Sequence, residues 1–156
     1  FVSPLAKTIG FQVSVFDDLS DFANRERFPE ADEIYNMSYF DAFKTITITP
    51  SSYIVIVTRG HVGDKDVLEM ALNSTVSPAY IGMIGSIRKR DTIYEALKES
   101  GTNQQALDGV YSPIGLDIGG RTPAEIAVSI IAEIIQIRAV RDKKNSGIKP
   151  LQPMIG

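Results

Sequence analysis

The chain has 156 residues, 44% of them apolar, with a formal net charge of −3 and a pI near 5.2. That is enough apolar material for one layered domain, and the acidic balance argues against general attraction to nucleic acid or anionic membranes. The absence of cysteine and the single histidine, His61, exclude disulfides, thiolate metal ligands, persulfide carriage, a cysteine nucleophile and a multi-histidine metal site. No apolar run approaches the roughly 18 residues of a membrane span and no leader with a cleavage site is visible, so a cytoplasmic protein is expected.

In chain order, Val2, Leu5, Ala6 and Ile9 recur at helical spacing up to Gly10, a left-handed cap position. FQVSVFDD then alternates as a strand that ends in Asp17 and Asp18. A short strand follows around Ile34 to Met37, then a short helix in SYFDAFKTI with Phe40 and Phe43 facing inward. YIVIV, Tyr53 to Val57, is an almost unbroken β-branched run of the kind buried on both faces of a parallel sheet. A helix is predicted from about Asp64 to Asn73, a strand in AYIGMIG, and a helix from Ser86 to about Ser100 that stops at Gly101. NQQALDG reads as a helical segment leading to a last strand around Val110 to Ser112. Thr122-Pro123-Ala124-Glu125 combines an N-cap, a first-turn proline and a capping-box glutamate, so the final helix starts there and runs to about Arg141. Its apolar positions cover more than one stripe, as expected of a helix buried on two sides, and a homodimer is one way to cover the second. The charged and Pro/Gly-bearing stretch 142–156 reads as a tail or arm, leaving 1–141 as one domain.

Strands alternating with helices through short connections mean a parallel three-layer α/β sheet, Rossmann-like, with ligands at the carboxyl ends of the strands. The G-x-G-x-x-G turn of such folds is not in this chain, so the first strand and its glycine turn are expected to be missing from the sheet. Asp17 sits where a ribose-binding acid belongs, although an aspartate at a strand end is also an ordinary turn or cap residue. Arg59, Gly60 and His61 follow the most buried strand, suited either to holding a phosphate or assisting proton transfer, or to pairing with a carboxylate and the loop; Asp64 is a candidate cap. Gly82, Gly85 and Ser86 thin the next strand-to-helix junction, and Arg88, Lys89 and Arg90 add charge in a first turn where cations oppose the helix dipole unless an anion or acidic partner compensates. In SPIGLDIGGRTPAE, Pro113, Gly115, Gly119 and Gly120 imply tight backbone approach, with Asp117 and Arg121 as polar groups, in either a binding loop or a structural turn.

These blocks, DD-x-x-x-FANRERFP, TRGH with Asp64 and Asp66, YIGMIGSIRKR and above all SPIGLDIGGRTPAEIAVSIIAEII, resemble in order and spacing the C-terminal Rossmann-like domain of the XdhC/CoxI family, the xanthine dehydrogenase accessory factors. The resemblance covers residues 1 to about 141. Leu19 stands where the family commonly has an arginine after the acidic strand end. The resemblance implies a cofactor-binding chaperone rather than a catalyst. Such a protein binds molybdenum cofactor, protects it during sulfuration with sulfur from a cysteine desulfurase, and passes it to a molybdenum hydroxylase apoenzyme. Molybdopterin carries a phosphate, sometimes a nucleotide, and holds its metal by its own dithiolene, so no protein metal ligand is required. The cofactor site is then expected to draw on Asp17, Arg59, Gly60, His61, Gly82, Gly85, Ser86, Arg88, Lys89, Gly115, Asp117 and Gly119, with weak or no cofactor binding by this stretch alone. An NAD(P)-dependent oxidoreductase using His61 as a lone acid/base, and a non-catalytic Rossmann-like interaction module, are the alternatives.

Overall fold

Four short strands alternate with six helices in a computed structural model that describes residues 1–146. In order they are α1 (Val2–Thr8), β1 (Ser14–Asp17), β2 (Glu33–Asn36), α2 (Tyr39–Thr45), β3 (Tyr53–Ile56), α3 (His61–Leu72), β4 (Tyr80–Met83), α4 (Ile87–Glu99), α5 (Gln104–Asp108) and α6 (Pro123–Ser146). β1 pairs in parallel with β2, Ser14 opposite Glu33 and Asp17 opposite Asn36, and β3 pairs in parallel with β4, Tyr53 opposite Tyr80 and Ile56 opposite Met83. The expected last strand contracts to a bridge between Tyr111 and Gly82, held by Met83 N–H to Tyr111 O (3.0 Å) and Tyr111 N–H to Ile81 O (2.9 Å).

Among the described residues no ladder joins β1 to β3. In a doubly wound sheet the first strand lies between the second and the fourth. The interruption therefore falls at the position for which the sequence offers no strand. Side chains still span the two halves: the Phe11 and Tyr53 rings meet edge to face at 5.0 Å near the amino ends, and Arg59 beyond β3 pairs with Asp17 and Asp18 at the end of β1.

Helices cover both faces of the β3–β4 pair. On one, Val67, Leu68 and Ala71 of α3, Ile93 and Leu97 of α4 and Leu107 of α5 pack with Ile56, Ile81 and Met83. On the other, Ile130 and Ile134 of α6 pack with Tyr80 and Ile114, joined by Val2, Phe11 and Val55. Shortening a fully buried leucine such as Leu68 or Leu97 to alanine removes transfer energy and leaves a cavity, a loss of about 2–5 kcal/mol.

The helix punctuation follows the sequence. Ser86 Oγ accepts from Lys89 N–H (3.2 Å), Thr122 Oγ1 accepts from Glu125 N–H (3.2 Å), and Glu125 reaches back to Thr122 N–H (2.9 Å). Four boundaries or faces differ. α3 begins at His61 rather than Asp64, which puts His61 on a helix instead of in a turn; β3 stops at Ile56, leaving Val57 exposed. α2 is only two turns long and turns Tyr39, Ala42 and Phe43 inward, so Phe40 lies on the opposite side, 61% exposed beneath the Lys44 ammonium. α6 continues past Arg141 to Ser146, while 147–156 of the expected tail lie outside the described residues. The buried side of α6 is Ala127, Ile130, Ile131 and Ile134; Val128 and Ile135 remain 50% and 40% exposed.

Candidate functional site at the carboxyl edge of the strands

At the ends of β1 and β3, Asp17, Asp18 and Arg59 form one cluster. The Arg59 guanidinium lies 3.2 Å from the Asp17 carboxylate, hydrogen-bonds Asp18, and stacks over the Phe22 ring at 4.9 Å. Asp17 also accepts the Leu19 N–H at 2.9 Å. Arg59 is thus paired with two carboxylates instead of standing ready for a phosphate, and it supplies from the neighbouring strand end the basic contact that Leu19 cannot. His61 is exposed on the first turn of α3 with no hydrogen bond or ion pair among the described residues, so nothing orients its imidazole for proton transfer. Gly60 has an extended φ of 173° and open space where a Cβ would lie, leaving its backbone approachable.

A buried pair ties the next two turns together. Asp64, fully buried, accepts Thr58 N–H (2.9 Å) and Thr58 Oγ1–H (2.7 Å), and its second oxygen lies 2.8 Å from Lys89 Nζ. Two glycines make room: a Cβ on Gly63 would press against Thr58 Oγ1 at 2.7 Å, and one on Gly85 would meet Lys89 Cδ at 2.8 Å. Gly85 also holds φ at +134°, a region L side chains rarely enter. Asp64 is therefore an anchor rather than a helix cap, and Lys89 neutralises it rather than reaching outward. Arg90 is likewise engaged, bonded to Asp91 (2.7 Å) and to Ser112 O (3.1 Å). Of the three cations in this turn only Arg88 is exposed and without an ion pair among the described residues. With Ser86 capping α4, the free N–H groups of its first turn open at this edge, and Arg88 is an exposed residue of that same turn.

Two predicted site glycines serve packing. A Cβ on Gly82 would come within 2.6 Å of Ile114 Cδ1, and one on Gly115, which holds φ at +95°, would collide with Ser129 Oγ on α6. Gly115 N–H donates to Glu133 Oε1 (3.1 Å), which also accepts the Tyr80 hydroxyl (2.6 Å). Burial and then that carboxylate hold the Tyr80 hydroxyl far above the usual tyrosine range. Beyond Gly115 the turn emerges, and Asp117 and Gly119 are exposed. Beside this edge runs an apolar groove of ≈ 270 Å³ lined by Phe1, Val57, Ile84, Ile126 and Ile130, just below the ~300–1,000 Å³ of drug-sized ligand sites and large enough for a ring system rather than a dinucleotide. Among the described residues no group of three or more His, Asp or Glu side chains is placed to hold a metal ion, and no helix is long and apolar enough to cross a membrane.

The edge thus brings together Asp17, Arg59, Gly60, His61, Gly85, Ser86, Arg88 and Lys89, while Gly82 is buried and Gly115 is half-buried against α6. Asp64 and Glu133 are the structurally decisive acids that sequence reasoning did not single out for these roles. Glu133 had a signal, a lone charge inside the apolar run SIIAEII; Asp64, three residues beyond His61, looked like an ordinary cap.

The family model described as the XdhC Rossmann domain matches residues 1–134. The chain is 28% identical over 138 residues to the uncharacterized protein YqeB of Escherichia coli K12, covering 88% of this chain and 25% of YqeB. It is 31% identical over 134 residues to a probable xanthine dehydrogenase subunit of Bacillus subtilis 168, covering 86% of this chain and 38% of that protein. The crystal structure of a xanthine dehydrogenase from Bacillus halodurans matches with a TM-score of 0.78 at 30% identity, over 90% of this chain and 39% of the other. The chain spans well under half the length of these relatives.

Proposed function

The chain belongs to the XdhC family, as its Rossmann domain, and from that premise we propose that it acts in an accessory factor for molybdenum hydroxylases, binding molybdenum cofactor and assisting its sulfuration and insertion. The observation that carries this reading is the first turn of α4, where Ser86, Gly85 and Arg88, without an ion pair among the described residues, offer an anion one cation and a helix N-terminus while Lys89 and Arg90 are engaged. The cofactor's phosphate suits that turn and its metal needs no ligand from this cysteine-free stretch, whereas the apolar groove beside the turn can cover a ring face but offers no partner to the polar edge of a pterin. Bound cofactor would bring its own dithiolene-held molybdenum; this chain's residues bind, orient and shield it. This stretch has no thiol to carry sulfur, so the terminal sulfur comes from outside it, from a cysteine desulfurase, and a hydroxylase apoenzyme is the recipient.

A nicotinamide-dependent oxidoreductase is the second reading, favoured by Asp17 at the end of β1. Against it, that carboxylate is occupied by Arg59 and Leu19 N–H, and the His61 side chain has no partner among the described residues to orient it. The two separate on titration of the purified full-length protein, of which this stretch is the Rossmann domain, with molybdenum cofactor and with NAD(H), read by mass spectrometry and fluorescence. Retention of the pterin without nicotinamide turnover is expected. Turnover of NAD(H) with no affinity for the pterin would sink the accessory-factor reading.

A further inference from the structure

The turn after the last strand is held against α6 by two carboxylates from that one helix. Glu133 accepts Gly115 N–H at 3.1 Å, and Glu125, about two turns nearer the helix start, accepts Arg121 N–H and Thr122 N–H at 2.8 and 2.9 Å. Between them, Leu116 N–H donates to Ser129 O (3.2 Å) and Ile118 N–H to Leu116 O (2.9 Å). Among the described residues, the N–H groups of Asp117, Gly119 and Gly120 have no acceptor within the chain, and Asp117 and Gly119 are exposed. The turn is therefore fixed at both ends and open at its tip.

Glu133 is 7% exposed and packed among isoleucines, where a leucine would fill the space without desolvating a charge. Its two hydrogen bonds come from Tyr80 on β4 and from the backbone of the turn, both neutral donors whose bonds to a carboxylate are charge-assisted. We infer that Glu133 is a positioning residue for the tip 117–120: with Glu125 it clamps the turn to α6 so that three free N–H groups and the Asp117 carboxylate are presented at the carboxyl edge in one conformation. That a bound cofactor is what meets them rests on the proposed function; the clamp itself does not.

Amide hydrogen exchange on Glu133→Gln tests the clamp with no ligand present. The variant keeps the volume, weakens the bond to Gly115 N–H and adds an amide with no acceptor. Exchange at Gly115, Leu116 and Ile118, the bonded N–H groups of the turn, rises about tenfold, the weight of one charge-assisted bond, while the centres of β4 and α6 stay within about twofold. Tyr80→Phe removes the other donor and leaves the turn within about twofold of the parent. Should Glu133→Gln fail to fold, Glu133→Asp keeps the charge, draws it back from Gly115, and gives the same turn-confined rise. Unchanged exchange in the turn, or an equal rise across β4, α6 and the turn, overturns the inference. If exchange responds as described but molybdenum-cofactor affinity is unaltered, the clamp stands and the cofactor contact at this turn falls.

Discussion

Replacing Lys89 with methionine keeps most of the side chain's volume and removes the only cation paired with the fully buried Asp64 among the described residues. Breaking a buried ion pair from one side typically costs about 3–5 kcal/mol, because the remaining charge is left uncompensated. Two features lower that figure here: Lys89 is 20% exposed, so water already screens part of the pair, and Asp64 keeps its bonds from Thr58 N–H and Oγ1–H. The expected loss is about 2–3 kcal/mol, a sizeable share of the roughly 5–15 kcal/mol that holds a domain folded. At about 2–4 °C per kcal/mol for a chain of this size, Tm should fall by about 5–10 °C. The chain has no tryptophan, so urea and thermal unfolding are followed by far-UV circular dichroism. The companion variant Asp64→Asn, alone and combined with Lys89→Met, closes a double-mutant cycle, and the combined variant should recover about 1–2 kcal/mol of the summed losses because no uncompensated charge remains. A Lys89→Met protein within about 0.5 kcal/mol of the parent, or a strictly additive cycle, would refute the view that Lys89 serves Asp64.

Arg88→Ala, by contrast, should leave stability within about 0.5 kcal/mol and weaken molybdenum-cofactor binding about tenfold; isothermal titration compares it with Lys89→Met, and the opposite pattern would move the anion contact to Lys89. Gly115→Ala must hold a strained φ and press a methyl into Ser129, so urea unfolding should show a loss of about 2–4 kcal/mol, whereas the exposed Gly60, extended and with open space around it, should accept alanine with little change. The bond from Lys7 and then that from Val13 N–H lower the pKa of Asp32, and the Thr122 and Arg121 N–H groups lower that of Glu125. Both groups therefore contribute stability above the ordinary carboxylate range of about 4 that is lost as pH falls through their folded values. Tyr80 is shifted the other way by burial, so its contribution is complete below about pH 10 and declines as unfolded tyrosine ionises above it. Tm measured from pH 2 to 11 should drop at both ends, and a shallower acid limb in an Asp32→Asn, Glu125→Gln double variant identifies the share of those carboxylates, Glu30, lowered by its bond from Ser3, keeping part of it.

What the sequence determined by itself was short-range. The capping box Thr122–Glu125, the Ser86 cap, the stop at Gly10 and the β-branched run from Tyr53 each act between residues a few positions apart, so their partners are written beside them, and the same patterning specified a parallel α/β sheet with its turns at one edge. Which charge answers which was not legible. Arg59 and Lys89 both read as cations for a ligand, yet the second pairs with an acid at the start of α3, because the parallel β3–β4 pair sets their two strand-to-helix turns side by side, and the first reaches acids at the end of β1 across a gap that no ladder closes among the described residues. Glu133 finds Tyr80 and Gly115 only once α6 lies across β4. Phe40 pointed outward for a similar reason: the short helix had one inner face, and Tyr39, Ala42 and Phe43 filled it. A charge or a ring in a turn can serve many partners at equal sequence cost; burial and proximity in the folded sheet choose among them, and they left Arg88 as the exposed cation of its turn without an ion pair among the described residues.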